Sequence, residues 1–331
     1  MKRWIISRTD HLNGVIVTLP LAGYLKSVYP DLHISFIGRA YARDIVERCK
    51  HIDQFIDREQ VLKQPETLSS LDADAIVFLF PDKELAKVAH KAKIPQRVGT
   101  SSPFFQWRYC NKRVKVSAKH ISEHEAQRNF KLLAPLGVEH TPTLEELPSY
   151  FGLEADPEAP KSFTRYLKKD LFNLILHPKS SDSAHNWPLE QYFALLEALP
   201  RYRFQVLVVG SEAEGELLKQ KMPSIFYLPY VTNLTGKLNL TDLLGLIDAA
   251  DGVIASNTGP LHLAAALGKQ TLGLYAPAQN MHPERWAPLG EKAECLWKEK
   301  DCDACKKSLK CSCIQSIPVE EVLDKVKAFE K

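Results

Sequence analysis

Short apolar runs alternate with longer stretches of helical spacing along the first hundred residues. Runs of three to six apolar residues suit buried strands, and apolar positions three or four residues apart predict helices between them. Pro30 and Pro81 end two of these segments. The predicted strands are 4–6, 34–37 and 75–80, and the predicted helices are 12–29, 41–49 and 82–92.

A less regular region follows. Residues 99–119 predict an aromatic and basic loop, and 121–136 predicts a helix that ends at Gly137. Residues 139–160 are rich in Pro, Glu and Thr and show no period. We therefore expect the interdomain linker at 139–160.

The alternation of strands and helices restarts after the linker. Such alternation in each half implies an α/β protein with two parallel, doubly wound sheets. We expect an N-terminal domain over 1–160, a second domain over 161–317 and a terminal helix over 318–331. The predicted strands are 172–176, 204–209, 253–255 and 271–274, and the predicted helices are 188–199, 212–221, 240–250, 261–267 and 318–330.

Composition narrows the class of protein. The chain has 331 residues, 45% of them hydrophobic, and no apolar run approaches the roughly 18–20 residues that cross a bilayer. The N-terminus starts like a signal peptide, but Arg8, Asp10 and His11 interrupt it. Seven cysteines without a secretory signal indicate reduced thiols. We therefore expect a cytoplasmic protein.

The two halves of the chain carry opposite net charge. Residues 1–135 hold 22 Lys and Arg against 14 Asp and Glu, whereas the rest holds 21 against 26. Residues 91–119 hold eight basic residues and no acidic one. Such a basic half favours an anionic partner, such as a nucleic acid, a phosphorylated glycolipid or a membrane surface. A solvated basic face without a partner is the alternative.

The most informative segment is 255–268, where a buried strand runs into a polar turn and then a helix. Pro260 lies near the start of that helix and Gly268 lies past its end. The Thr258 hydroxyl and the backbone N–H groups of the first turn would form an anion site, with His262 in reach. A capped core helix with an incidental histidine is the alternative reading.

A second polar segment, 177–188, also lies between a predicted strand and a predicted helix. It offers a lysine, three serines and a histidine that could bind a polyphosphate. A polar surface loop without a ligand is the alternative interpretation.

Both segments resemble the signature of glycosyltransferase family 9, which includes the ADP-heptose:lipopolysaccharide heptosyltransferases. The string Asn257–Gly268 follows the family pattern Asp-Thr/Ser-Gly-Pro-x-His-Leu-Ala-Ala-Ala-Leu-Gly except at its first position. The resemblance covers nearly the whole chain, because further segments agree with the family in the expected order. These segments are 8–20, 95–99, 124–129, 177–188 and 234–237.

The resemblance implies a GT-B fold, with two Rossmann-like domains facing each other across a cleft and a terminal helix that packs back on the N-terminal domain. It implies an inverting, metal-independent transfer of heptose or a similar sugar from an ADP- or other NDP-sugar to a lipopolysaccharide core-type acceptor. No cofactor is expected. The residues implied for donor binding in the C-terminal domain are Lys179, Ser180, Ser181, His185, Glu214, Asn257, Thr258, Gly259 and His262.

Three positions depart from the family pattern. Gly14 occupies the position of the aspartate that the family uses as its proposed general base, and glycine cannot accept a proton. Asp10 and His11 are the nearest substitutes and are our candidate catalytic residues. His185 replaces a lysine, and Asn257 replaces an aspartate. A catalytically impaired paralogue that binds a nucleotide sugar without transfer is therefore the alternative function.

The basic loop is predicted to bind the acceptor through Arg97, Arg108, Lys112 and Arg113. Its aromatic residues could lie at a membrane interface, so we expect peripheral association with the cytoplasmic face of the inner membrane. Single-stranded nucleic acid bound by stacking on the same aromatics is a further hypothesis. We favour an anionic glycolipid, no nucleic acid and a monomer.

Two patterns could bind a metal ion. Asp72-Ala73-Asp74 matches the Asp-x-Asp of metal-dependent sugar transferases, but it precedes its strand and is predicted to be a loop. Cys302, Cys305, Cys311 and Cys313 could form a four-thiolate zinc site, although the second pair has a single intervening residue. Reduced thiols that pack a loop are the alternative. No catalytic metal is expected.

Overall fold

The chain forms two compact units, Met1–Glu154 and Ala155–Lys331. Their boundary falls inside the predicted linker, and residues as far as 154 belong to the first unit, where Leu147 and Phe151 are buried. The computed structural model describes residues 2–116, 123–155, 161–178, 186–279, 281–298, 302–306 and 312–330, without the side chains of 161, 162 and 306.

The described part of the first unit contains a six-stranded sheet in which every pairing is parallel. Its order is β3-β2-β1-β4-β5-β6. The central strands are almost wholly apolar because helices cover both faces of a parallel sheet. The strands are β1 Arg3–Ser7, β2 His33–Gly38, β3 Gln54–Asp57, β4 Ala75–Phe78, β5 Gln96–Thr100 and β6 Lys112–Val114.

The helices of the first unit are shorter than the sequence predicts. The predicted helix 12–29 is divided at Val17 and Thr18, and the predicted loop 99–119 is wrong because it contains a helix and an edge strand. The helices are α1 Leu12–Ile16, α2 Leu19–Val28, α3 Arg43–Val46, α4 Arg58–Lys63, α5 Glu66–Ser70, α6 Lys83–Lys91, α7 Phe105–Tyr109 and α8 Glu125–Lys131, with 3-10 turns at Ala40–Ala42, Ala134–Leu136 and Leu147–Tyr150.

The second unit repeats this architecture. Its described residues form a six-stranded parallel sheet of order β12-β11-β10-β7-β8-β9, which confirms the predicted pair of parallel α/β sheets. The strands are β7 Phe172–His177, β8 Phe204–Val208, β9 Val231–Asn233, β10 Gly252–Ser256, β11 Gln270–Leu274 and β12 Ala293–Leu296.

The helices of the second unit lie between its strands and after them. None of the helices among the described residues has both the length and the apolar character needed to cross a membrane. The helices are α9 Leu189–Ala198, α10 Glu212–Lys221, α11 Leu240–Ala249, α12 Gly259–Ala266, α13 Pro283–Trp286, α14 Asp303–Lys306 and α15 Val319–Lys327, with 3-10 turns at Lys161–Tyr166, Pro223–Tyr227 and Cys313–Ser316.

The terminal helix α15 belongs to the second unit. Its buried residues Val322 and Val326, followed by Phe329, join the core that contains Leu195 and Leu196 of α9. The apolar face of α15 is thus part of the core of the C-terminal unit, and the expected packing of this helix on the N-terminal domain stays a prediction.

Each sheet has one point at which the strand order reverses. The reversal lies between β1 and β4 in the first unit and between β7 and β10 in the second. Ligands of open α/β sheets bind outside the carboxyl ends of the strands at such a point. We therefore expect a ligand site among the residues that follow these four strands.

Candidate functional site

A cavity of about 200 Å³ lies at the carboxyl ends of β7 and β8. His177 and Ser211 supply polar groups to its lining, together with Asn239. Its other side chains are mainly apolar, as in many small-molecule sites with a few placed polar groups. These apolar residues are Val209, Leu238, Leu240, Leu243 and Pro260.

Helix α12 starts beside this cavity, directly after β10. Thr258 is its N-cap residue, with an extended backbone, but its side chain makes no capping hydrogen bond to the helix. Pro260 in the first turn needs no N–H partner, and the fixed ring favours the helical start. The positive end of the helix dipole thus lies at a first turn that the Thr258 side chain does not cap, and such an end favours an anion.

The Thr258 hydroxyl belongs to a polar network that joins three strand ends. Its Oγ1 lies 3.1 Å from Nδ1 of His177, and Nε2 of His177 lies 3.5 Å from Oε2 of Glu214. Neighbouring strands bring them together, because β7 lies between β10 and β8. Glu214 was predicted from the sequence, whereas His177 was not named as a site residue. The signals for His177 were its place at the end of a buried strand and at the start of segment 177–188, which matches the family.

Glu214 is held as a carboxylate. Burial alone would raise its pKa, but the hydrogen bond and charge of His177 and the hydrogen bonds from Ser211 outweigh burial and lower the pKa to about 2. The Ser211 backbone N–H donates to Oε2 over 2.7 Å and the Ser211 hydroxyl over 2.9 Å. An ionised carboxylate only accepts hydrogen bonds, so Glu214 suits a ligand hydroxyl and repels a phosphate.

The charge on Glu214 also fixes the roles of the two His177 nitrogens. Because the carboxylate accepts, Nε2 carries a proton, and Nδ1 of a neutral ring accepts from the Thr258 hydroxyl. A ligand anion at the start of α12 would compete with Nδ1 for the proton of this hydroxyl.

His262 lies in the first turn of α12 and is 1% exposed. Its Nε2 is 2.8 Å from Oδ1 of Asn257, so the histidine contacts the turn that precedes the helix. The structure thus brings the predicted Asn257, Thr258, Gly259 and His262 together, with Glu214 joined through His177. The predicted Lys179, Ser180, Ser181 and His185 lie outside the described residues.

The N-terminal unit has its own cavity, of about 550 Å³, at the carboxyl end of β1. Asp10 and His11, the two candidate catalytic residues, both line it. His11 is exposed and is the N-cap residue of α1, but its side chain makes no capping hydrogen bond. The remaining lining residues are Thr9, Leu12, Arg39, Tyr41 and Phe80.

Beside this cavity lies an ion cluster centred on Arg8, which is 1% exposed. Its guanidinium donates to both carboxylate oxygens of Asp10, from Nε over 2.6 Å and from Nη2 over 2.8 Å. Its Nη1 donates to Glu125 over 2.9 Å and to Asn129 over 3.2 Å. Burial alone would lower the pKa of Arg8, but the carboxylates of Asp10 and Glu125 outweigh it and raise that pKa.

Gly14 lies against this cluster. A Cβ atom at residue 14 would be 2.6 Å from Nη2 of Arg8 and 2.8 Å from Oδ1 of Asp10. Both groups are anchored, so a side chain at residue 14 requires the buried cluster to move. The Arg8 guanidinium and the Asp10 carboxylate paired with it therefore border the space in which a side chain of residue 14 would begin, which sequence reasoning could not show.

A family model decides the identity of this fold and these motifs. The model for glycosyltransferase family 9 (heptosyltransferase) matches residues 65–313. The chain belongs to glycosyltransferase family 9. It is therefore a glycosyltransferase, as its sequence motifs predict.

Individual relatives agree with the family model. The chain is 28% identical over 296 residues to the lipopolysaccharide core heptosyltransferase OpsX of Haemophilus influenzae. The aligned region covers 87% of this chain and 82% of OpsX. It superposes on a family 9 glycosyltransferase of Veillonella parvula with a TM-score of 0.81, 19% identity and coverage of 99% and 97%. The ADP-heptose LPS heptosyltransferase II of Escherichia coli gives a TM-score of 0.78, 21% identity and coverage of 99% and 98%. These two structures share the GT-B fold, which confirms the predicted fold class.

The predicted acceptor residues of this glycosyltransferase differ in their contacts. The guanidinium of Arg97 donates to the carbonyls of Tyr109 and Ile94, and Lys112 donates to the carbonyl of Pro135 over 3.2 Å. These contacts brace the backbone around β5 and β6. Arg113 also donates to the carbonyl of Cys110 over 2.8 Å, but both Arg108 and Arg113 are exposed.

The exposed arginines lie beside exposed aromatic rings. Arg113 stacks over the ring of Trp107 at 4.3 Å, and Arg108 lies 5.7 Å from the ring of Tyr109. Trp107 is 55% exposed and Phe104 is 86% exposed. We call Phe104, Trp107, Arg108 and Arg113 the aromatic–basic patch. Its composition suits an anionic surface with an apolar layer beneath it.

The two candidate metal patterns have different surroundings. Asp72-Ala73-Asp74 precedes β4, and the carboxylate of Asp74 accepts from the backbone N–H of Arg3 over 2.7 Å. The Sγ atoms of Cys302, Cys305 and Cys313 lie within 4.8 Å of one another. Cys311, the fourth predicted thiol, lies outside the described residues.

Proposed function

We propose that the protein transfers heptose or a similar sugar from an ADP- or other NDP-sugar to a lipopolysaccharide core-type acceptor, with inversion and without a metal ion. Membership of glycosyltransferase family 9 supports the reaction class. The names of the relatives, a lipopolysaccharide core heptosyltransferase and an ADP-heptose LPS heptosyltransferase, support the acceptor and donor.

The observation that carries the donor proposal is the start of α12 with its Thr258–His177–Glu214 network. In this proposal the diphosphate binds the first-turn N–H groups and the Thr258 hydroxyl, because both favour an anion. The ribose hydroxyls of the donor nucleotide donate to Glu214, and its nucleobase enters the apolar cavity of about 200 Å³. Lys179, Ser180, Ser181 and His185 stay predictions for the same ligand.

The chemistry needs a group that accepts the proton of the acceptor hydroxyl. The acceptor oxygen attacks the anomeric carbon, the bond from that carbon to the diphosphate oxygen breaks, and the hydroxyl proton passes to the base. We propose that Asp10 is this base, because its Oδ1 lies 2.8 Å from where the Cβ of residue 14 would be and because Asp10 lines the N-terminal cavity. Its oxygens keep lone pairs beyond those bound by Arg8.

The leaving diphosphate needs its developing charge stabilised. The dipole of α12 places its positive end at that point, and the Thr258 hydroxyl is a neutral donor that can turn from His177 to a phosphate oxygen, with His262 of the first turn close by. Preorganised donors of this kind do the work that a metal ion does in other sugar transferases. This is the basis for proposing a metal-independent reaction.

The aromatic–basic patch supports an acceptor presented at a membrane surface. Arginine side chains pair with phosphate and carboxylate groups, and exposed aromatic rings lie well at a lipid interface. We propose a monomer at the cytoplasmic face of the inner membrane, with no nucleic acid partner. Binding of the protein to anionic lipid vesicles tests this proposal. The double variant Trp107→Ala with Arg113→Ala should bind these vesicles more weakly than the wild type. Equal binding by both would exclude the aromatic–basic patch as the membrane contact.

A transfer assay with a Kdo-containing acceptor and ADP-heptose tests the proposed reaction. Asp10→Asn should lower turnover by roughly 10²–10⁴-fold while ADP binding is kept, because a general base contributes about that much. His11→Gln tests the other candidate base and should change turnover little if Asp10 accepts the proton. Equal turnover for Asp10→Asn and the wild type would remove Asp10 from the role.

Gly14 favours one alternative, a protein that binds the nucleotide sugar without transferring it. Both Asp10 oxygens already accept hydrogen bonds from Arg8, which makes the carboxylate a pairing group as well as a candidate base. Calorimetry with ADP beside the transfer assay separates the two functions. Tight ADP binding without turnover on any acceptor would support the binding protein.

A further inference from the structure

Three cysteine side chains converge in the segment between β12 and α15. Cys302 directly precedes the short helix α14, Cys305 lies within it, and Cys313 starts the 3-10 turn Cys313–Ser316. Their Sγ atoms all lie within 4.8 Å of one another. Cys305 is 2% exposed and Cys313 is 6% exposed, whereas Cys302 is half-buried. None of the three forms a disulfide.

This spacing matches what a tetrahedral metal ion requires. Thiolates bound to zinc at about 2.3 Å lie about 3.8 Å from each other, so the thiols are within about 1 Å of binding positions. The first pair has the Cys-x-x-Cys spacing of many structural zinc sites. Sets of three or more thiolates favour zinc or another thiophilic metal over magnesium or calcium.

The surroundings of the cluster fit a structural rather than a catalytic ion. After Cys313 the chain enters the core of the C-terminal unit at Ile314 and Ile317. The carbonyl of Cys305 accepts from the backbone N–H of Gln279, which lies after β11. An ion held by the three thiols would therefore cross-link α14 to the turn before α15 and steady the chain that follows β11.

We propose that Cys302, Cys305 and Cys313 bind one thiophilic transition metal ion, most fittingly zinc, as a structural cross-link of the C-terminal unit. Each thiol releases its proton to solvent as it becomes a metal ligand. The described residues supply three ligands, and Cys311 is not counted among them. This inference is independent of the proposed sugar transfer.

Metal content of the full chain tests the proposal. The protein is purified without chelators under reducing conditions, its first-row metals are measured by mass spectrometry, and it is then stripped and reloaded with zinc. We expect about one zinc ion per chain. Cys305→Ser should weaken zinc binding by more than the roughly 10–100-fold that the loss of an outer-shell partner costs.

Cys295→Ser is the matched control, because Cys295 lies on β12 of the same unit and outside the cluster. It should keep the full metal content. Cys302→Ser replaces the most exposed of the three thiols, so it tests the ligand set if Cys305→Ser fails to fold. Cobalt in place of zinc should give thiolate charge-transfer absorption and the visible bands of a tetrahedral site in the wild type and in Cys295→Ser, but not in Cys302→Ser or Cys305→Ser.

Three results would count against the proposal. A wild-type protein without metal after reloading would overturn it, and so would equal zinc binding by Cys302→Ser, Cys305→Ser and the wild type. A disulfide among these thiols in the purified, reduced protein would also overturn it. Iron in place of zinc would support the thiolate site and correct the choice of metal.

Discussion

The two sheets share one strand order, but the residues after their first strands differ in chemistry. After β1 comes Arg8, whose buried guanidinium is enclosed by Asp10, Glu125 and Asn129. At the end of β7 comes His177, whose ring joins Thr258 to Glu214 beside a cavity. The strand order determines where a site can form, and the side chains at that point determine what it can bind.

The same comparison is the basis for proposing the anion site in the C-terminal unit. In the C-terminal unit a helix of eight residues starts at the strand reversal with its N-cap side chain turned to His177. In the N-terminal unit the positive charge at the reversal is already neutralised by Asp10 and Glu125. The higher net positive charge of the first half of the chain therefore does not identify the diphosphate site.

The largest expected effect comes from removing the centre of the N-terminal cluster. Arg8→Ala leaves the carboxylates of Asp10 and Glu125 without their buried partner, so we expect the N-terminal unit to lose about 3–5 kcal/mol in its free energy of unfolding. Urea unfolding followed by hydrogen exchange measures each unit separately.

Lys50→Ala is the control for Arg8→Ala, because it breaks an exposed ion pair in the same unit. In that pair Nζ of Lys50 lies 3.5 Å from Oε1 of Glu154. Exposed pairs contribute up to about 1 kcal/mol. Equal losses for Arg8→Ala and Lys50→Ala would show that the buried cluster does not stabilise the unit as described.

A smaller effect is expected at Gly14. Gly14→Ala should destabilise the N-terminal unit by about 1–3 kcal/mol, because its Cβ would meet the anchored Arg8 guanidinium. Helix propensity alone predicts the opposite sign, a gain of about 1 kcal/mol. The unfolding free energy of the variant therefore decides between packing and propensity.

A double-mutant cycle sharpens the Gly14 experiment. In an Arg8→Ala background the new methyl group has no guanidinium to meet, and the Asp10 carboxylate is no longer held by Arg8 and can move away, so the cost of Gly14→Ala should largely disappear. A cost that stays the same in both backgrounds would contradict the contact between residue 14 and Arg8.

The smallest expected effect concerns the acid stability of the C-terminal unit. The pKa of Glu214 is about 2 in the folded protein and near 4.5 ordinarily, so its contribution is complete above pH 4.5 and declines as the pH falls toward 2. We expect about 1–2 kcal/mol, after allowance for its partial exposure. Urea unfolding between pH 5 and pH 3 measures this loss.

Glu214→Gln should remove that part of the pH dependence. Glu216→Gln is the control, because Glu216 forms an exposed pair with Lys219 on the same helix. A Glu214→Gln variant with the same loss of stability on acidification as the wild type would show that the His177–Glu214 contact has no energetic role.

The sequence was sufficient for the central strands and for the turn before α12. The runs that became β1, β2, β4, β7, β8 and β10 are apolar because both sheet faces are covered, and this pattern is local. Edge strands such as β6 and β9 were missed since their residues are half-buried or exposed and show no apolar run.

The two networks could not be predicted because their members are distant in sequence. Arg8 and Glu125 are 117 residues apart, and His177 and Thr258 are 81 residues apart. In the sequence, Gly14 shows only that the family's aspartate is absent at this position. The structure adds that Arg8 and Asp10 fill the space beside it. Single-sequence motifs locate the strand ends, but contacts across the sheet define the chemistry.

ADP binding to the Thr258 variant tests the central claim most directly. Thr258→Val removes the hydroxyl next to the start of α12 and should weaken ADP binding by roughly 10–150-fold in calorimetry, the cost of a hydrogen bond to a charged group. Thr232→Val on β9 is the matched control and should bind ADP as the wild type does. Unchanged ADP affinity in Thr258→Val would contradict a diphosphate site at this helix.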